Sequence, residues 1–250
     1  MKHIWTAVIC CILLLGCGKV EPLQTEAPTE AAATETVAVT QPPTEAPTEI
    51  PTEAPTEAPT EAPTEPPEDD DLVPVADFIP GIREELAYAG SENFTGQKIY
   101  DFYNAYLRYG TVKKLAAVSA ELEQQGLGIL IWDGFRPVSA QAALWEVCPD
   151  PLFVSHPVTG TRTHCRGNAV DLTLYDLETG EELPMPTGFD VFTALADRDY
   201  RDCDPDAAAN ARLLEAVMEK YGFKPFWAEW WHFTDTESYP VEEEFEPAVG

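Results

Sequence analysis

Two short stretches gather the residues able to do chemistry. In His164-Cys165-Arg166-Gly167-Asn168-Ala169-Val170-Asp171, a histidine and an aspartate lie seven apart across a glycine, and in Glu229-Trp230-Trp231-His232 an acid and a histidine lie three apart. Through a glycine turn and into a strand, His164 and Asp171 can converge on one metal, with His232 as a third ligand. Two imidazoles and one carboxylate make a three-ligand zinc site whose open position takes water, the arrangement a catalytic zinc needs. Glu229, a separate carboxylate near that water, would then be the general base. Residues three apart on an extended segment point to opposite sides, so a local bend must carry Glu229 towards the metal. Spacing alone leaves a plainer reading open, of a core histidine and a surface acid–histidine pair. Neither stretch has the helical zinc-protease spacing.

The surrounding pattern says which elements must position these groups. Asn104–Gln125 reads as a helix, with Tyr106, Leu107, Val112, Leu115, Ala116, Val118 and Leu122 at helical spacing and Gly126 to end it. Gly128–Phe135 is a short buried strand. Pro137 opens a helix running to about Val147, a favoured place for proline. Asn168–Tyr175 alternates as a strand, which puts Ala169, Asp171 and Thr173 on one face. Ala207–Tyr221 is an amphipathic helix closed by Gly222, and Ala228–Phe233 is aromatic and strand-like. Helices and strands do not alternate regularly. The expected class is α+β, one domain with a mostly antiparallel sheet flanked by helices.

That domain is expected over residues 72–250, enough chain for one real core and too little for two. Ahead of it, residues 21–71 carry 14 acids and no base, and Thr-Glu-Ala-Pro units recur from Thr25 to Pro67. Proline at every fourth position blocks helix and sheet, and like charges push the chain open, so a disordered linker is expected over 17–71. Fully extended, such a stretch reaches on the order of 150 Å. It reads either as a spacer lifting the domain off a membrane or as a tether without special reach. The first residues open with Lys2 and His3 and run apolar from Ile4 to Leu15. That is shorter than the roughly 20 residues of a membrane span and suits a signal-peptide core. The run ends in Leu14-Leu15-Gly16-Cys17, which resembles the lipobox of bacterial lipoproteins. The resemblance implies a signal peptide over 1–16 and a lipid on Cys17; an ordinary secretory signal or an uncleaved anchor is the alternative. Overall, 44 acids stand against 15 lysines and arginines for a formal charge of −29. So strong a negative balance argues against electrostatic binding to nucleic acid or to anionic lipid.

Four stretches of the domain resemble the VanX-type D-alanyl-D-alanine dipeptidases, zinc enzymes related to the VanY-type D,D-carboxypeptidases. His164–Leu174 (HCRGNAVDLTL) is similar to the family's His-x-Arg-Gly-x-Ala-x-Asp-Leu-Thr-Leu, and Glu229–His232 to its Glu-x-Trp-His. Ile131–Pro137 (IWDGFRP) resembles a strand ending in Asp-x-Tyr-Arg-Pro, and Tyr88–Gly96 (YAGSENFTG) a segment ending in Asn-Phe-Thr-Gly. The resemblance implies a single zinc held by His164, Asp171 and His232, with Glu229 as base and Arg136 facing the tetrahedral oxyanion. Arg136 is otherwise a structural partner of Asp133. Asp190 would receive the substrate ammonium, and Tyr88 would line the amino-terminal pocket or simply pack there. The substrate would be D-Ala-D-Ala or a peptidoglycan-derived peptide. A lipid-anchored chain faces outward, away from the cytosolic dipeptide pool. Its expected role is therefore wall-peptide turnover or dipeptide scavenging, not glycopeptide resistance. A D,D-carboxypeptidase is the nearest alternative, and a non-catalytic binder of wall peptides a more distant one.

The chain departs from the family pattern at Arg162 and Cys165, where serines are usual, and at Pro186, where glycine is usual. All three bear on substrate choice more than on chemistry. Cys165 is expected to be a small, partly buried residue and not a nucleophile, and His156, in a Pro- and Gly-rich loop, to be exposed. Cys148, Cys165 and Cys203 are an odd number, so a Cys148–Cys203 disulfide is one pairing among several.

Overall fold

A computed structural model describes residues 65–249. The expected leader, Cys17 and most of the Pro-rich stretch lie outside the described residues. Among the described residues no helix is long and apolar enough to cross a membrane. Contacts of the domain reach back before Leu72, since the carbonyls of Asp69 and Asp71 accept from the amides of Gly110 and Tyr109.

The elements are β1 (Leu72–Pro74), β2 (Arg83–Glu84), β3 (Tyr106–Arg108), α1 (Tyr109–Glu123), β4 (Leu127–Asp133), α2 (Val138–Val147), β5 (Ala169–Asp176), α3 (Pro205–Lys220), β6 (Phe223–Phe226) and β7 (Glu229–Asp235). Five strands form one sheet in the order β2-β4-β5-β7-β6, and β1 pairs with β3 in a second. Only β2 and β4 run parallel, so the sheet is mostly antiparallel as expected for the α+β class.

The first helix is shorter than its apolar spacing predicts. Residues Tyr106–Arg108 pair with β1 instead, because tertiary partners take the backbone groups a helix would need. The Tyr106 carbonyl accepts from Phe135 N at 2.8 Å, and Arg108 N donates to the Gly167 carbonyl at 2.8 Å. Within α1, Val112, Leu115, Val118 and Leu122 are fully buried, and Gly126 turns the chain with φ +77°. The third helix starts two residues earlier than expected. Asp204 caps it, accepting from Asp206 N at 2.9 Å, with Pro205 in the first turn. Helices α1 and α3 pack on each other and on the sheet, against alternate residues Val170, Leu172 and Leu174 of β5. Asp171 and Thr173 lie on the opposite face.

Strand register does the positioning. Asp133 of β4 stands opposite Asp171 of β5, and Asp171 stands opposite His232 of β7, so three polar residues form one row across three strands. The β6–β7 ladder shifts abruptly: Pro225 pairs with Phe233 but Phe226 pairs with Glu229. The three extra β7 residues, Trp230, Trp231 and His232, make the bend that the sequence requires if Glu229 and His232 are to meet. Ahead of β5, His164–Arg166 forms a single 3₁₀ turn, and Gly167 reverses the chain at φ +71°. A Cβ there would lie 2.5 Å from Leu72 Cδ2. Gly167→Ala should therefore destabilise by about 1–3 kcal/mol. The change is expected as a lower urea midpoint at unchanged slope; an unchanged midpoint would show that neither the left-handed turn nor the contact with β1 matters.

Candidate active site

His164, Asp171 and His232 offer donor atoms that all lie within 4.8 Å of one another. His164 Nδ1 sits 2.8 Å from the Gly134 carbonyl, which can only accept, so Nδ1 carries the proton and the Nε2 lone pair faces the cleft. His232 is turned the other way. Its Nε2 lies 3.1 Å from the Thr234 hydroxyl, and its Nδ1 faces Asp171 Oδ1 at 2.8 Å and His164 Nε2 at 3.1 Å. Each ring is thus held from behind by a partner, as metal-binding histidines are: the Gly134 carbonyl fixes the His164 tautomer, and the Thr234 hydroxyl, which can accept, is compatible with a free inner nitrogen on His232. Two oriented imidazoles and one carboxylate are a donor set that fits zinc, and the set leaves a coordination position open.

The electrostatics favour a cation at the same point. Burial alone would raise the Asp171 carboxyl, but His164 and His232 pull it well below the usual carboxylate range. Burial would lower the His164 imidazole, and Asp171 reverses that and raises it. For His232 burial wins, so its pKa is lowered and its neutral, ligating form is favoured. Glu229 is buried, with Oε2 4.0 Å from His232 Nδ1. Its pKa stands well above the ordinary value, pushed up first by burial and then by the charges of Asp171 and Asp190. A carboxyl held that reluctant to ionise is suited to taking up a proton.

Arg136 is buried at the end of β4, one residue before the proline that opens α2. Its Nε and Nη2 donate to Asp133 Oδ2 at 2.9 and 2.5 Å, and its Nη1 donates to Gln141 Oε1 at 2.9 Å. Nη2 also lies 4.0 Å from Asp171 Oδ2, and the guanidinium sits 5.0 Å over the Tyr88 ring. The pairing with Asp133 and a place on the cleft are therefore both present; the first orients the second. Asp133 is fully buried and accepts on its other oxygen from the Tyr100 hydroxyl and Gly134 N, each at 3.0 Å.

Beside Tyr88 the cleft also holds Asp190, whose φ of +54° is unusual for a residue other than glycine. The Tyr88 hydroxyl donates to its Oδ2 at 2.6 Å. Burial pushes the Asp190 carboxyl up to about 7, against the pull of that hydrogen bond. All seven residues expected in the domain's site line this one cleft: Tyr88, Arg136, His164, Asp171, Asp190, Glu229 and His232.

The three departures from the family pattern separate here. Arg162 lines the cleft, at φ +51°, with Nη1 donating to the Pro157 carbonyl at 3.2 Å. Cys165 is completely buried, not partly, and burial pushes its thiol up to about 11, which removes it as a nucleophile. Pro186 is half-buried in the loop before Asp190. His156 is half-buried, not exposed: its ring packs on Trp145, and its Nδ1 accepts from Val158 N and Thr159 N at 3.1 and 3.2 Å. Cys148 and Cys203 are free thiols, so the disulfide considered for them is absent.

Several contributors carry no signal in the sequence. Gln141, Tyr100 and Thr234 act on residues that were recognisable, Arg136, Asp133 and His232, but are ordinary residue types in unremarkable positions.

The family Peptidase_M15, described as D-ala-D-ala dipeptidase, matches residues 68–247. A D-alanyl-D-alanine dipeptidase of Escherichia coli is 38% identical over 173 residues, covering 68% of this chain and 89% of that one. Proteins of the same description from Streptomyces coelicolor and Enterococcus faecium are 35% and 30% identical over 184 residues, each covering 66% of this chain and 91% of its own. A solved LD-carboxypeptidase structure aligns at 17% identity with a TM-score of 0.39, over 71% of this chain and 70% of that one. The chain belongs to the D-Ala-D-Ala dipeptidase family and is a peptidase.

The raised pKa of Asp190 has a measurable consequence. The unfolded carboxyl ionises near 3.8 and the folded one near 7, so the folded form holds the proton more tightly. The stability this lends is complete below the unfolded value and is lost as pH climbs through the folded one. Asp190→Asn keeps an acceptor for Tyr88 and cannot ionise. Urea unfolding of metal-free protein should find it equal to wild type near pH 4 and more stable at pH 8, by roughly 1–4 kcal/mol. Equal stability at both pH values would mean that Asp190 is not held in a desolvated position.

Proposed function

We propose that this member of the D-Ala-D-Ala dipeptidase family is a zinc-dependent enzyme that hydrolyses the D-alanyl-D-alanine dipeptide outside the cytoplasm, in wall-peptide turnover or dipeptide scavenging. The observation that carries the reading is the convergence of His164, Asp171 and His232 with Glu229 on one side and Arg136 on the other. His164 Nε2, His232 Nδ1 and a carboxylate oxygen of Asp171 would hold one zinc ion. When bound, zinc supplies Lewis acidity towards water and the peptide carbonyl.

The chain's own groups do the rest. Glu229 takes the proton of the attacking water as oxygen bonds to the peptide carbon, and returns it to the leaving nitrogen as the C–N bond breaks. Arg136, locked by Asp133 and Gln141, presents a fixed positive charge to the oxyanion and needs no reorganisation at that moment. Asp190 and the Tyr88 hydroxyl receive the substrate's ammonium, whose charge favours the ionised Asp190 carboxylate. Trp231, almost fully buried, forms part of the same wall.

The carboxypeptidase reading has one observation in its favour. The cleft encloses about 600 Å³, within the range of pockets that hold drug-sized ligands and more than a two-residue substrate fills. The zinc-loaded protein should be given free D-Ala-D-Ala and a stem peptide ending in D-Ala-D-Ala, with products read by mass spectrometry. Cleavage of the dipeptide alone upholds the dipeptidase reading; cleavage of the stem peptide transfers the assignment to a wall carboxypeptidase. Glu229→Ala should lower turnover by about 10³-fold or more with zinc content unchanged, and a loss of zinc would make Glu229 a ligand instead. Anchoring through a lipid on Cys17 belongs to the same proposal, and recovery of the mature protein from the cytosol would defeat it.

A further inference from the structure

Gln141 lies in α2 and is 1% exposed. A side-chain amide so far from water is tolerated only when both its ends are matched. Its Oε1 accepts from Arg136 Nη1 at 2.9 Å, and its Nε2 donates to the Ser155 carbonyl at 2.7 Å. Asp133 holds one edge of the guanidinium, and the Gln141 amide holds the other.

The second contact reaches a different part of the cleft. Ser155 belongs to segment 149–163, which joins α2 to the His164 turn and supplies Phe153, Val154, Thr159 and Arg162 to the lining. The segment is tied within itself by Ser155 Oγ, which accepts from Arg162 N at 3.1 Å. Among the described residues, the side chains outside it that hydrogen-bond to it are Gln141 and Arg166, the latter at the Thr161 carbonyl at 3.0 Å. Gln141 is the one that faces the reacting groups.

We infer that Gln141 is a positioning residue: it fixes the Arg136 guanidinium and the wall of the cleft formed by segment 149–163 with one side chain, so the placement of the oxyanion partner and the shape of the pocket are not independent. The inference rests on the proposed role of Arg136 for its catalytic half only. An amide is required because Arg136 needs an acceptor while the Ser155 carbonyl needs a donor. Glutamate keeps the first contact and sets oxygen against oxygen at the second. Methionine, of similar shape, loses both.

Three readouts test this. In Gln141→Met, kcat should fall about 10–100-fold, the scale of a misplaced catalytic group, and KM should rise. In Gln141→Glu, which keeps the contact with Arg136, kcat should fall clearly less than in Gln141→Met while KM rises as much. Combined with Arg136→Lys, Gln141→Met should cost less than about threefold further, since both act through one guanidinium. Amide exchange in residues 153–161 should quicken by about tenfold in both single variants. A purely structural Gln141 would give the two variants equal losses of kcat that track their melting temperatures, and would add independently to Arg136→Lys; either result overturns the inference. Should methionine prevent folding, Gln141→Glu still decides it through the kcat and KM split. The exchange measurement needs neither zinc nor substrate. A wild type inactive on both peptides would thus overturn the proposed reaction, while unchanged exchange at 153–161 would overturn the role of Gln141.

Discussion

An ionised carboxylate taken out of water loses more solvation than a single hydrogen bond returns. Four carboxyl groups meet here: Asp171, Asp190 and Glu229 on the lining of the cleft, and Asp133 buried behind Arg136. Arg136 is the one buried guanidinium set among them. The four divide by how they are compensated. Asp133 is saturated by Arg136, the Tyr100 hydroxyl and the Gly134 amide, and Asp171 lies against the two imidazoles, where a proton or a bound cation would complete its compensation. Asp190 and Glu229 have no cation in contact, and both titrate high. The first pair builds the site, while the second is left with capacity for a proton or a positive charge that arrives with the ligand. Perturbed groups of that second kind mark functional positions more than structural ones.

The compensation works only because the sheet holds its register. Asp133, Asp171 and His232 face one another across β4, β5 and β7. A slip of one residue would turn Asp171 towards Val170's neighbours in the core and put an apolar side chain in the cleft. Fully buried Trp230 and Phe233 on β7 and the apolar alternation of β5 make such a slip costly. The bulge in β7 then adds what a regular strand cannot, an acid three residues from a histidine and on the same side of it. Irregular backbone at a site of this kind re-aims side chains, and here it re-aims Glu229.

Residue type and short spacing made His164, Asp171, Glu229 and His232 visible in the sequence, and the strand–Arg-Pro–helix passage did the same for Arg136. What lies within one element, or across one turn, is encoded locally. The helix start at Tyr109 was not legible, because Tyr106 and Leu107 satisfy helical spacing as well as they satisfy pairing with β1; tertiary hydrogen bonds from Phe135 and to Gly167 decide between them. Gln141, Tyr100 and Thr234 were equally hidden, since each matters only through a partner that the fold supplies. The same holds for His156, which looks like a loop residue until Trp145 is seen beneath it.

This division bears on how substrate choice and chemistry are separated in the molecule. The three residues proposed to hold the metal sit on β5, β7 and a turn pinned to Gly134, all backed by the core. The residues that would distinguish a dipeptide from a longer peptide sit on segments 149–163 and 183–190, outside any helix or long strand. Arg162 and Asp190, one on each segment, both hold left-handed backbone angles that side chains other than glycine adopt at a cost of about 1–2 kcal/mol. Such strain persists only where the surroundings impose it. Cys165, by contrast, departs from the family pattern within the buried turn and is not among the residues that line the cleft. Change at position 162 alters the charge of the wall itself. The sheet can therefore stay fixed while the two segments vary, and Gln141 is the point where one of them is fastened to Arg136.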